Sequence, residues 1–141
     1  MAGFASMSRE RRLLLAGYLF AFGSAVHIAD HLRRGQGSVT NALNTLGTTG
    51  VVVQVVVVTL ILTRHRLAPI VAAGAGFTLA LGFTAVHWLP HWSSLSDSFV
   101  DHRVAAFSYV ASTLEIVGAL AVSVTSLGVY WHAPGTAESP H

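Results

Sequence analysis

Four long apolar stretches, separated by short polar links, set the pattern of this chain. They run from Leu13 to about Ala29, from Leu46 to Thr63, from Leu67 to Trp88, and from about Val104 to Tyr130. Each approaches or exceeds the ~20 residues that an α-helix needs to cross the hydrocarbon core. The second contains Val51 to Val58, interrupted only by Gln54. Valine favours strands in water, but a lone strand leaves its backbone unpaired in lipid, so this run is read as a helix. The pattern predicts an all-α, integral membrane four-helix bundle with up-down-up-down topology, spanning 13–131. A basic leader (1–12) precedes it and a flexible tail (132–141) with Pro134, Gly135 and Pro140 follows.

The links sharpen this picture. Arg64-His65-Arg66 is a tight turn between spans two and three. A longer polar link, from Arg33 to Thr45, joins spans one and two. The serine-rich segment from Trp92 to Asp101 joins spans three and four, and Pro90 is expected to end or bend the third helix near Leu89. Gly23 and Ala25 are spaced like a signal-peptide cleavage site. The length of that stretch and the histidines that follow it favour a retained span.

Composition removes several function classes. Only 10% of the 141 residues are charged and 52% are hydrophobic, against about 25% charged in ordinary soluble domains. The basic residues are eight arginines in short clusters beside apolar runs, not the basic stripe of a nucleic-acid binder. Cysteine is absent, which excludes thiolate ligands and a cysteine nucleophile, so any metal must be held by His, Asp or Glu. Gly74-Ala75-Gly76 lies inside an apolar span and lacks the context of a nucleotide-binding turn. Arg9, Arg11, Arg12, Arg64 and Arg66 fall on one side of the membrane and Arg33, Arg34 and Arg103 on the other. That imbalance predicts cytoplasmic termini in a multi-pass bacterial plasma-membrane protein.

Alternating spans bring His27, Asp30, His31, His87, His91, Asp97, Asp101 and His102 to one face, the extracytoplasmic one in this orientation. His27/His31 and His87/His91 are i,i+4 pairs, a spacing that lets two imidazoles on one helical face chelate one ion. Pro90 places His91 near or past the end of its helix. Histidine and tryptophan are also common at headgroup level, and Trp88 with Trp92 resembles an aromatic belt. The grouping of five histidines with three aspartates nevertheless favours a metal or haem site. His27, Asp30, His31, His87, His91 and His102 are the candidate metal ligands.

A second polar feature points inward. Asp101, Ser108 and Glu115 recur every seven residues, with Ser112 on the adjacent row. An ionised carboxylate at the depth of Glu115 is costly and calls for a partner such as Gln54 or Thr78. Glu115 and Asp101 are therefore the candidate catalytic acids, although an interhelical polar clamp explains Glu115 equally well. In the third span Ala68, Ala72, Gly76, Ala80 and Thr84 form a small-residue seam for close packing, within the chain or between copies.

Three functions fit these features. The first is a metal-dependent membrane enzyme, an oxidoreductase or hydrolase using Zn, Cu or Fe. The second is a quinone-linked electron-transfer subunit with haem b between His27 and His87. The third is a proton-coupled transport or accessory subunit working through Glu115 and Gln54. Expected partners are the lipid bilayer, a lipophilic substrate or quinone, and further copies or a larger membrane complex, but no nucleic acid.

Overall fold

The structure, a computed structural model, describes residues 8–131. It contains helices α1 (Arg9–Arg34), α2 (Asn41–Leu62), α3 (Ala68–Trp88) and α4 (Ala106–Tyr130), with a short 3-10 turn at Gln36–Ser38. All four helices are long and apolar enough to cross a membrane. The expected four-helix membrane bundle is therefore what the chain forms. The tail 132–141, with His132 and His141, and residues 1–7 of the leader lie outside the described residues.

Local chemistry explains where the helices begin and end. Ser8 caps α1, its hydroxyl accepting from the Arg11 amide, and Thr40 caps α2 by accepting from the Leu43 amide. Such caps satisfy backbone N–H groups that the first helical turn leaves unpaired. Gly35 closes α1 with φ 86°, a left-handed backbone angle that glycine adopts without steric cost. The first helix thus extends five residues beyond Ala29, and the link expected over Arg33 to Thr45 shrinks to residues 35–40. Arg33 and Arg34 occupy the last turn of α1, where the helix dipole favours cations. Arg9, Arg11 and Arg12, expected in the leader, already belong to α1.

Pro90 acts at the end of α3. Leu89 before it is extended (φ −97°, ψ 155°), the conformation that proline imposes on its predecessor. The chain then folds back over the helix end. Trp92 Nε1 donates to the Ala85 carbonyl at 2.9 Å, the Asp97 amide to Val86 at 3.0 Å, and the Phe99 amide to His87 at 2.9 Å. Three carbonyls that the α3 terminus would leave unpaired are satisfied in this way. Segment 89–105 is consequently a cap with a buried Phe99, held further by Tyr109 Oη donating to the Phe99 carbonyl.

Packing centres on α4, which lies against both α1 and α3, while α2 bridges α1 and α3 more loosely. The α1–α4 approach depends on two glycines. A Cβ at Gly23 would stand 2.7 Å from the Leu114 carbonyl oxygen, and one at Gly118 would stand 2.8 Å from Phe20 Cα. The α3 seam also packs within the chain: Ala68, Ala72, Gly76 and Ala80 are buried, and a Cβ at Gly76 would collide with Ala119 and Ser123 of α4. On α2, Val52, Val55 and Val56 face outward, whereas Gln54 and Val57 face inward. Phe20, Val57, Ala119 and Val122 are fully buried and form an apolar zone between Glu115 and Ser123.

Candidate metal centre

The antiparallel bundle gathers the ends of α1 and α3 and the starts of α2 and α4 at one face. His27 and His31 stand one turn apart on α1, and His87 is the penultimate residue of α3. Among the described residues these three histidines form a group whose ligand atoms all lie within 4.8 Å of one another. The Nε2 atoms of His27 and His31 are 3.0 Å apart. Two ligands at ~2.0–2.1 Å from one tetrahedral ion stand about 3.3 Å apart, so this pair is already close to chelating distance. The His27 ring is 4.7 Å from His31 and 5.0 Å from His87 between centroids.

Hydrogen-bond acceptors face the far side of two rings. His27 Nδ1 lies 3.5 Å from Glu115 Oε2. His87 Nδ1 lies 3.3 Å from the Asp97 carbonyl and 3.5 Å from its carboxylate. The His27 and His31 Nε2 atoms share a hydrogen bond; an incoming metal would replace its proton, with Glu115 and Asp97 close enough to Nδ1 of His27 and His87 to act as outer-shell acceptors. Phe83 and Phe99 pack against His27 and His87 respectively, so part of the wall is apolar. His27 and His87 are buried, and His31 is partly exposed.

Glu115 sits directly below the histidines. Gln54 Nε2 donates to Glu115 Oε1 at 2.7 Å, the pairing expected from their shared depth; Thr78 instead bonds the Gly74 carbonyl of its own helix. Glu115 Oε2, Gln54 Oε1, His27 Nδ1 and Ser24 Oγ are buried without a hydrogen-bond partner. His27 Nδ1 and Glu115 Oε2 nevertheless face each other at 3.5 Å, so a small shift or a bound proton would pair them.

The other candidate residues fall elsewhere. His91 lies beyond Pro90, exposed, with its amide donating to Asp101 Oδ2; the second i,i+4 pair is broken because α3 stops at Trp88. His102 is exposed on the cap. Asp30 is buried but turned toward α4, accepting from Arg33 Nη2 at 2.8 Å and Ser108 Oγ at 3.0 Å. Asp101 precedes α4, so the seven-residue stripe begins in the helix at Ser108. The backbone hydrogen bond from His91, followed by the Ser98 side chain, holds the Asp101 carboxyl below its ordinary value.

Asp97, which the alternation of spans brings to this face, is the aspartate that lies beside the histidines. It receives both terminal nitrogens of Arg34 and faces His87. Compared with known protein families, curated proteins and solved structures, the chain has no significant match.

Proposed function

We propose that this integral membrane protein binds one divalent transition metal through His27, His31 and His87, and works as a metal-dependent membrane enzyme on a lipophilic substrate. The observation that supports it is the convergence of three imidazoles whose ligand atoms lie within 4.8 Å, two of them backed by acceptors at Nδ1. An imidazole set without thiolate suits Zn, Cu or Fe. Three protein ligands leave a fourth position for water or substrate, the pattern of catalytic rather than structural zinc sites. A metal bound there would supply Lewis acidity and a more acidic bound water.

The residues around it have distinct tasks. Glu115 orients His27 and holds or releases a proton at Oε2. Gln54 fixes the other carboxylate oxygen, and the Arg34–Asp97 pair orients His87. Phe83 and Phe99 give the centre apolar walls, which suit an amphiphile entering from the bilayer for hydrolysis by water. Asp101 is better suited to fixing the cap than to chemistry, because its partners are the His91 amide and Ser98. In this reading His91, His102 and Asp30 support the surrounding structure without ligating.

The compact centre fits better than haem. A haem held by these two histidines would need a gap between their rings wide enough for a macrocycle. The His27 and His87 rings are instead in edge contact and enclosed by phenylalanines. With cytoplasmic termini, the centre would face the extracytoplasmic side.

The test is purification in detergent, followed by elemental analysis and a visible spectrum. We expect about one metal per chain with no Soret band, and its loss in both His27→Ala and His87→Ala. A Soret band would move the reading to haem. Metal-free protein from gentle purification would remove both readings and leave a transport or accessory role.

A further inference from the structure

A separate cavity of about 280 Å³ opens at the same membrane face, lined by Arg33, Arg34, Ser38, Arg103, Val104, Ala105 and Ser108. We propose that it binds an anionic phosphate group, the headgroup of an acidic phospholipid at the level of the interface. Its volume lies just below the ~300–1,000 Å³ of sites that enclose drug-sized ligands. It is therefore suited to a headgroup, with acyl chains left to run down the apolar exterior.

Donor supply argues for the same ligand. Each guanidinium carries five N–H groups. Arg33 commits three hydrogen bonds, to Asp30 and Ser108, and Arg34 commits two, to Asp97. Donors remain on both. Arg103 forms no hydrogen bond or ion pair with any described residue, so its whole guanidinium is available. Arg33, Arg34 and Arg103 outnumber their neutralising acids, Asp30 and Asp97, by one.

The start of α4 adds to this field. Ala105 occupies the N-cap without a side-chain hydrogen bond, and the first turn holds no acid. The Ser108 amide turns back to the Ala105 carbonyl at 2.9 Å, but the remaining first-turn amides and the positive dipole end are left for an external anion. Planar, two-pronged arginine donors match phosphate oxygens geometrically. Val104 and the outward-facing Leu32, Phe107 and Val110 supply apolar surface where acyl chains would lie. None of this depends on a metal at the histidines.

The full chain, purified in a mild detergent, should be offered phosphatidylglycerol and phosphatidylcholine in equal amounts, and retained lipid measured by native mass spectrometry. Inorganic phosphate should be titrated separately by calorimetry. We expect one phosphatidylglycerol to be retained in preference to phosphatidylcholine. Retention should fall about tenfold in Arg103→Gln, recover partly in Arg103→Lys, and remain unchanged in Arg66→Gln on the opposite face. Binding of inorganic phosphate with the same Arg103 dependence would support the phosphate site and identify free phosphate as its source. Equal retention of both lipids without phosphate binding, or equal losses in Arg103→Gln and Arg66→Gln, would overturn the proposal.

Discussion

Arg34 and Asp97, 63 positions apart in the chain, meet in a two-pronged ion pair at 2.5 and 2.7 Å. The side chains are only 13% and 10% exposed. This pair ties the last turn of α1 to the cap, and Asp97 in turn faces His87. Removing one member of a buried pair strands the other charge, at a cost of about 3–5 kcal/mol. Asp97→Asn should therefore lower stability by roughly the lower end of that range, about 3 kcal/mol, in detergent unfolding. The double variant Arg34→Gln/Asp97→Asn should be less damaged than the two single losses predict when added. Strict additivity would show that the pair contributes nothing.

The floor of the centre gives a second prediction. Gln54→Leu removes the donor to Glu115 Oε1, and membrane hydrogen bonds of this kind contribute about 0.6 to 1.7 kcal/mol. A loss of about 1 kcal/mol is expected. Glu115→Gln should keep the bundle folded and weaken metal binding about tenfold, the lower end of outer-shell effects. The readout is competition with a chromogenic chelator; unchanged affinity would separate Glu115 from His27.

Helix spacing gives a third. Gly118→Ala places a methyl group against the Phe20 backbone, and overpacking of this kind costs about 1–3 kcal/mol. Gly82 is a useful contrast, since a Cβ there meets nothing within 4 Å. Gly82→Ala should be neutral or stabilising by up to ~1 kcal/mol through helix propensity. Thermal melts of the two variants should move in opposite directions, or only the first should move.

The cap should respond to acid. Asp101 has a folded-state value below its unfolded one. Its contribution is thus present above the unfolded value near 3.8 and is lost as pH falls through the lower, folded value. The His91 amide should exchange faster in strong acid, once corrected for intrinsic rates, and Asp101→Asn should show faster exchange already at neutral pH. A variant with unchanged protection at His91 would show that the carboxylate does not hold the cap.

Much of this architecture is legible in the sequence, for definite reasons. Lipid imposes a length and an apolar composition on every span, so the four helices stand out even through the valines of α2. The convergence of His27, His31 and His87 follows from alternation of spans plus one helical spacing. The His87/His91 pairing does not survive, because Pro90 ends α3 one turn too soon. Asp101 shared a seven-residue spacing with Ser108 and Glu115, but that spacing has meaning only inside a helix, and α4 starts at Ala106. The roles of Asp97 and Phe99 depend on a cap that returns over α3, and no local pattern encodes such a return. Nor did charge clustering show that Arg33 and Arg34 would turn to different acids.

The apolar zone of Phe20, Val57, Ala119 and Val122 has an electrical consequence. Polar positions on α4 stop at Glu115 and resume only at Ser123, so a proton taken up near the histidines exchanges most readily with the compartment on their own side. Moving one elementary charge through the whole membrane potential is worth about 2.3 kcal/mol per 100 mV, but a charge that stops at Glu115 crosses only part of that drop. A proton step that ends at Glu115 should therefore respond to membrane voltage by only a fraction of that amount.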